Sequence, residues 1–267
     1  MQITLNSQAK EIRKMIVKAA NKSKASHVGS ALSVVEILEA LYFKVANISK
    51  ENYNKPDRDR IILSKGHGSL ALYCTLALKG IIPMEFLDKY SVDDGKLPCH
   101  IDMNCAAGLE ASTGSLGHGC GLAEGFALSN RMKHISARIF VIVGDGEFQE
   151  GSVLEALNSI GSLKLNEITV ILDNNRFQGS AATSNVVDTG NYEKIFTAFN
   201  FDVCSVDGHN VDALVSALNK NTDKPKAVIA NTLKGKGISF MENTLQSHYM
   251  KVDDEKLKVA LGELEEK

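Results

Sequence analysis

Val143-Gly-Asp-Gly-Glu147, the run Glu150 to Leu163, the apolar segment Ile168-Thr-Val-Ile-Leu172 and then Asp173-Asn-Asn175 form the stretch that decides the fold. The preceding Arg138-Ile-Phe-Val-Ile-Val143 is short, apolar and rich in β-branched residues, and it ends on glycine, as a parallel strand buried on both faces does. Val153, Leu154, Leu157, Ile160 and Leu163 then recur at helical spacing before the second apolar run begins. The unit therefore reads strand, helix, strand. Ligands of open α/β sheets sit beyond the carboxyl ends of such strands, where Asp145 and Asn175 fall. An aspartate and an asparagine at adjacent strand tips offer two hard oxygen ligands to a divalent cation, magnesium or calcium alike. The glycine turn of Gly144, Asp145 and Gly146 adds no bulk, so a diphosphate could lie between that cation and backbone N–H groups. A dinucleotide-binding turn is the plainer alternative. It needs three glycines in G-x-G-x-x-G spacing, whereas Phe148, Gln149 and Glu150 follow here.

Composition narrows the rest. A chain of 267 residues with 44% hydrophobic content is expected to form one large α/β domain over residues 1–267, without an internal boundary. A net charge of −2 without a basic patch argues against nucleic acid, and no apolar stretch reaches membrane-spanning length. Met1-Gln-Ile-Thr-Leu-Asn-Ser7 has neither the cationic nor the apolar region of a signal peptide. Cys74, Cys99, Cys105, Cys120 and Cys204 are odd in number and include no C-x-x-C pair, so neither a disulfide framework nor a zinc site is suggested. The expectation is a reduced, cytoplasmic protein.

Alternation of helix and strand predicts a doubly wound, mostly parallel sheet with helices on both faces. Residues 6–22 read as an amphipathic helix with Ile12, Ile16, Val17 and Ala20 on one face. Ser33-Val-Val-Glu36 reads as a capping box opening a helix to Lys44. Strands are expected at Arg60 to Leu63, Phe201 to Val206 and Ala227 to Thr232, and helices at Gly68 to Lys79, Leu116 to Met132, Asn191 to Phe199 and Val211 to Leu218. Leu87 to Leu109 reads as a long loop, and such loops in compact domains are usually functional. Asp253 to Lys267 reads as a charged, exposed helix that frays.

Four phrases carry a family resemblance. Ser64-Lys-Gly-His67, Glu110-Ala-Ser-Thr-Gly-Ser-Leu-Gly117, Gly144-Asp-Gly-Glu-Phe-Gln-Glu-Gly151 and Gly235-Lys-Gly-Ile-Ser-Phe-Met-Glu242 are similar to transketolase phrases, in that family's order. The paired Gly-Asp-Gly and Asn-Asn words look like the thiamine diphosphate signature. The resemblance runs from about residue 10 to about residue 250, which is the first third of a full-length transketolase. It implies the thiamine-diphosphate-binding fold, with cofactor contacts at His67, Ser115, Leu116, Gly117, Gly144, Asp145, Gly146, Glu147 and Asn175. The metal ligands it implies are Asp145, Asn175 and the main-chain carbonyl of Phe177. His67 would lie near the diphosphate, His27 and His100 would face the sugar, and His248 would stabilise a developing alkoxide, although this chain has Ser247-His-Tyr249 where His-Gly is common. Imidazoles suit such steps because they exchange protons near neutral pH. Glu150 aligns with an acid that pairs, across a dimer, with a partner glutamate on the cofactor ring; its plainer role is electrostatics at a helix N-terminus. Glu147 either fixes the turn or is a solvated acid of the first helical turn.

His118, His134 and His209 get no role in the chemistry, and His209 is expected to cap the helix that follows it. The implied activity is transfer of a two-carbon ketol unit from a ketose, or ketose phosphate, to an aldose. The domain that binds the cofactor's pyrimidine is missing, so a C-terminal transketolase subunit is expected to supply it in an α2β2 heterotetramer. A natural split subunit is preferred here over a fragment. The α subunit of a 2-oxoacid dehydrogenase, deoxyxylulose-phosphate synthase and a non-catalytic cofactor-binding or assembly subunit stay open beside it.

Overall fold

The computed structural model describes residues 7–266 of the chain. Its strands are β1 (Arg60–Leu63), β2 (Ile139–Gly144), β3 (Ile168–Asn174), β4 (Asp202–Asp207) and β5 (Lys226–Asn231). Its α-helices are α1 (Ser7–Ser23), α2 (Val28–Ser33), α3 (Val35–Glu39), α4 (Ser69–Leu78), α5 (Gly119–Met132), α6 (Gly151–Ser162), α7 (Thr183–Val186), α8 (Tyr192–Ala198), α9 (Val211–Asn219) and α10 (Asp254–Glu266). The strands pair in the order β1-β2-β3-β5-β4, every pair parallel. Parallel strands require crossovers, and these place helices on both faces. One core layer packs Phe140, Ile142, Ile171 and Val228 beneath α1 to α4, α9 and α10. The other packs Val141, Val143, Val170 and Leu172 beneath α5, α6 and α8. This is the doubly wound fold that the alternation predicts. Among the described residues, no helix is long and apolar enough to cross a membrane.

The register aligns the strand tips. Gly144 stands opposite Asp173, and Asp173 stands opposite Ala230 on its other side. The turns after β2, β3 and β5 therefore open at one edge of the sheet, and that edge carries the site.

Three local expectations are corrected. Ser33 opens no helix: the chain is already helical from Val28, and the Ser33 hydroxyl donates to the Asp173 carboxylate, 2.7 Å away. Glu36 does not close a capping box, because its buried carboxylate is forked by Arg13 at 2.6 and 2.9 Å. The segment then continues through a π-helical turn at Ala40–Val45. The α10 tail is docked, not a solvated helix. Ala260 and Leu264 are fully buried, and Lys14 of α1 pairs with Glu265 at 2.6 Å. His209 does not cap α9. Asn210 does, accepting from the Ala213 N–H, while the His209 ring bridges Glu36 and the Leu233 amide.

Elsewhere the boundaries shift by a few residues. The glycine-rich helix starts at Gly119 because Gly114 and Gly117 hold positive φ angles of 133° and 87° and keep the preceding words in a loop. The long segment after Leu87 is irregular to Leu109 apart from the end of a 3₁₀ turn at Met84–Lys89.

Candidate active site

The turn after β2 is braced from within. Glu147 is buried, and its carboxylate accepts from the Gly117 amide at 2.9 Å, the Gly144 amide at 3.0 Å and the Ser64 hydroxyl. One side chain thus ties together the phrases around residues 64, 117 and 144, which resolves its two readings in favour of fixing the turn. Burial pushes its pKa up, and the three donors pull the other way.

Asp145 points from that turn toward β3. One carboxylate oxygen accepts from Gly146 N–H at 2.8 Å and the other from Arg176 N–H, so the two strand tips are stitched together. Asn175 turns its carbonyl oxygen to the Phe177 amide at 3.1 Å, and its NH₂ group lies 3.3 Å from Asp173. Burial, reinforced by the neighbouring Asp173, lifts the Asp145 pKa to about 6. A divalent cation would remove that penalty. The oxygens of Asp145, Asn175 and the Phe177 main chain are the hard donors at these tips that could hold magnesium or calcium. Among the described residues no cluster of three or more His, Cys, Asp or Glu could hold a metal, so such a site depends on amide and carbonyl oxygens.

Behind these tips lies an ion pair that sequence reasoning missed. Lys65 and Asp173 are both fully buried and paired, and Lys65 also donates to Ser30 O at 3.0 Å. Burial alone would raise the Asp173 pKa; Lys65, Thr232 and Ser33 hold it below the usual carboxylate value. A lysine inside the apolar shell of a strand end was the available signal, since such charges are almost never fully buried unless paired.

Four imidazoles meet beside the strand tips. A cavity of about 300 Å³ is lined by His27, His67, His100 and His248 together with Lys65, Asp145 and Asn175. The His27 ring centroid is 5.7 Å from His67, 5.6 Å from His100 and 4.8 Å from His248. His27 holds a left-handed backbone (φ 67°, ψ 13°), unusual for a non-glycine residue, and its amide donates to His248 O at 2.7 Å. Gly114 makes room for His100: a Cβ there would lie 2.9 Å from that ring. Burial lowers the pKa of His27, of His67 and, to about 3, of His248, with Lys65 adding to the effect at His67 and Lys234 at His248. Around pH 7 these three rings are neutral, able both to donate and to accept a hydrogen bond.

Of the remaining expected contacts, Leu116, Gly144, Gly146, Glu147, Glu150 and Phe177 line the same cavity. Ser115 and Gly117 do not: Ser115 is exposed on its loop, and Gly117 is engaged by Glu147. Glu150 is exposed at the rim, preceding α6. His118 and His134 lie outside the lining. Lys234, overlooked in the sequence, is fully buried and within 3.0 Å of His248 Nδ1.

Residues 5–264 match the family described as transketolase, thiamine diphosphate binding domain. A 6-deoxy-6-sulfo-D-fructose transketolase subunit, SqwG, from Clostridium sp. (strain MSTE9) is 42% identical over 99% of this chain and 97% of its own length. One subunit of the apulose-4-phosphate transketolase of Actinobacillus succinogenes is 38% identical over 98% of this chain and 96% of its own. The crystal structure of transketolase from Campylobacter jejuni superposes with a TM-score of 0.91 at 29% identity, over 99% of this chain but only 43% of that one. This protein therefore spans the full length of separate transketolase subunits and less than half of that full-length enzyme. It belongs to the transketolase family, by its thiamine diphosphate binding domain.

Proposed function

We propose that this chain, folded as one domain, is the diphosphate-side subunit of a two-subunit transketolase. It transfers a two-carbon ketol unit from a ketose with an anionic tail to an aldose acceptor. The observation that carries the reading is the convergence of Asp145, Asn175 and four imidazoles on one cavity. Bound thiamine diphosphate would supply a carbanion nucleophile and an electron sink for breaking a carbon–carbon bond. Asp145, Asn175 and the Phe177 carbonyl would hold magnesium or calcium, and through it the diphosphate, with Gly144, Gly146 and the loop of Ser115, Leu116 and Gly117 alongside. His67 would stand nearest the diphosphate, and His27, His100 and His248 would exchange protons with sugar oxygens. A neutral imidazole suits such work, since one ring nitrogen carries a hydrogen and the other a lone pair.

A partner is part of the proposal. The groups that bind the cofactor's pyrimidine would come from a C-terminal transketolase subunit in a cytoplasmic α2β2 assembly, with Glu150 at the seam. In support, α5 exposes Leu122, Leu128 and Met132, while added Cβ atoms at Gly121 and Gly125 would meet nothing within 4 Å. An apolar face with small residues lets another backbone approach closely. The related subunits are named for a sulfonated ketose and a ketose phosphate, which motivates the anionic tail.

The test is reconstitution with the C-terminal subunit, thiamine diphosphate and magnesium, offering 6-deoxy-6-sulfofructose, apulose 4-phosphate and xylulose 5-phosphate in turn with an aldose phosphate acceptor. Appearance of a new ketose two carbons longer than the acceptor is expected with one of them, and none from the chain alone. Decarboxylation of pyruvate without aldose transfer would overturn the reading. So would cofactor binding by the full assembly without turnover.

A further inference from the structure

The Lys234 ammonium stands 3.0 Å from His248 Nδ1 and 3.2 Å from Gln178 O. An ammonium has three hydrogens and no lone pair, so the imidazole nitrogen facing it must accept. The His248 proton then sits on Nε2. Burial lowers the Lys234 pKa to about 8, while the charges of Asp145 and Asp173 pull the other way. The same environment keeps the His248 ring from taking a second proton. Nε2 has no hydrogen-bond partner among the described residues, and it faces Gly179, where an added Cβ would lie 3.3 Å away. Both His248 and Gly179 line the cavity of the histidine cluster.

We propose that Lys234 is a positioning residue that locks His248 as an Nε2–H donor aimed into the cavity, at an oxygen of the ligand that gains negative charge during reaction. This rests on the reading of the cavity as a sugar site. The lysine itself is held from several sides. Leu233 N–H donates to His209 Nε2 at 2.8 Å, Gly235 N–H donates to Gly29 O at 3.0 Å, and Asn243 N–H donates to Lys234 O at 2.8 Å. His209 is locked in the opposite sense: its Nε2 accepts, so its Nδ1–H donates to Glu36, 2.9 Å away. A donor fixed before the ligand arrives costs no reorganisation when charge develops, which is why preorganised donors are effective in catalysis.

The test is long-range ¹H–¹⁵N correlation of the full chain labelled at histidine, at pH 7.5, with signals assigned from His248→Gln and His209→Gln. The lock predicts His248 protonated at Nε2 and His209 protonated at Nδ1. Lys234→Met should move the His248 Nδ1 signal toward that of a free, unbonded ring nitrogen and leave His209 in place. A wild-type His248 protonated at Nδ1, or doubly protonated, overturns the proposal. An Nδ1 signal unchanged by Lys234→Met does so too, and the wild-type spectrum decides the tautomer even if that variant fails to fold. In the reconstituted enzyme Lys234→Met should lower kcat roughly tenfold, short of the roughly 10²- to 10³-fold loss expected when a charge-stabilising donor is itself removed. A normal kcat beside a displaced Nδ1 signal would keep the tautomer lock, overturn its aim at a charge-gaining oxygen and leave the sugar-site reading standing; no turnover of any ketose by the wild type would count against that reading without touching the lock.

Discussion

Asp145 and Asp173 stand at the tips of neighbouring strands, both buried, yet their carboxyl groups are driven in opposite directions. Asp173 meets Lys65, Thr232 and Ser33 and is held below the usual carboxylate pKa. Asp145 accepts from two backbone amides, and burial with the charge of Asp173, against a weaker pull from Lys65, lifts it to about 6. A buried carboxylate with a full complement of side-chain partners is part of the protein's own structure. One left with amides alone keeps a buried charge that nothing of opposite sign touches, and a bound cation would offset it.

Removing partners breaks this comparison first at Asp173. Lys65→Met leaves that buried carboxylate without its counter-charge, held only by neutral donors, and the chain should lose about 3–5 kcal/mol in urea unfolding. Combining it with Asp173→Leu should recover most of the loss. A midpoint no more affected than by an ordinary surface substitution would show that the pair does not stabilise the tip.

Asp145 should respond in ligand binding. Asp145→Ala ought to weaken magnesium-dependent thiamine diphosphate binding at least roughly hundredfold, about 2.7 kcal/mol, in calorimetry. Unchanged affinity would remove Asp145 from the metal set.

The pH dependence sharpens the contrast. A folded-state pKa raised from 3.8 to about 6 contributes stability that is complete below about pH 4 and lost as pH rises through about 6. In chelator, Asp145→Ala should therefore gain on the wild type between pH 4 and 7 by about 3 kcal/mol. A constant gap would mean that the carboxyl group is not strained by burial. The smallest effect is expected at Phe177, whose proposed role is its carbonyl. Phe177→Leu should leave cofactor affinity within about twofold, losing at most the weak attraction of Lys234 over its ring, worth roughly 0.5–1 kcal/mol. A large loss would assign the ring itself to the site.

Much of this is legible in the sequence. Strands β2 and β3 announce themselves because both faces are buried, so an unbroken apolar run is forced, and the residues at their tips follow from the register. His27, His67, His100 and His248 follow from family words, and all four line one cavity. Ser33, Glu36 and His209 mislead for one reason. Each satisfies a local pattern, a capping box or a cap, but is taken by a distant partner: Ser33 by Asp173, Glu36 by Arg13 and His209 by Leu233. The α10 tail misleads because its charge dominates its composition, while the two residues that dock it, Ala260 and Leu264, are few.

The sequence by itself determined which segments are strands and helices, and which chemistry-bearing residues stand at their ends. Periodicity and glycine placement act through neighbours in the chain, and neighbours are what a sequence displays. The tertiary structure alone decided which of those residues are already satisfied. Glu147 is consumed by three donors, Asp173 by Lys65, and His248 is turned by Lys234 from a ring with two choices into one with a single outward hydrogen. Electrostatics and hydrogen bonding in a buried site depend on distances between atoms far apart in the chain, and only the folded arrangement sets those distances.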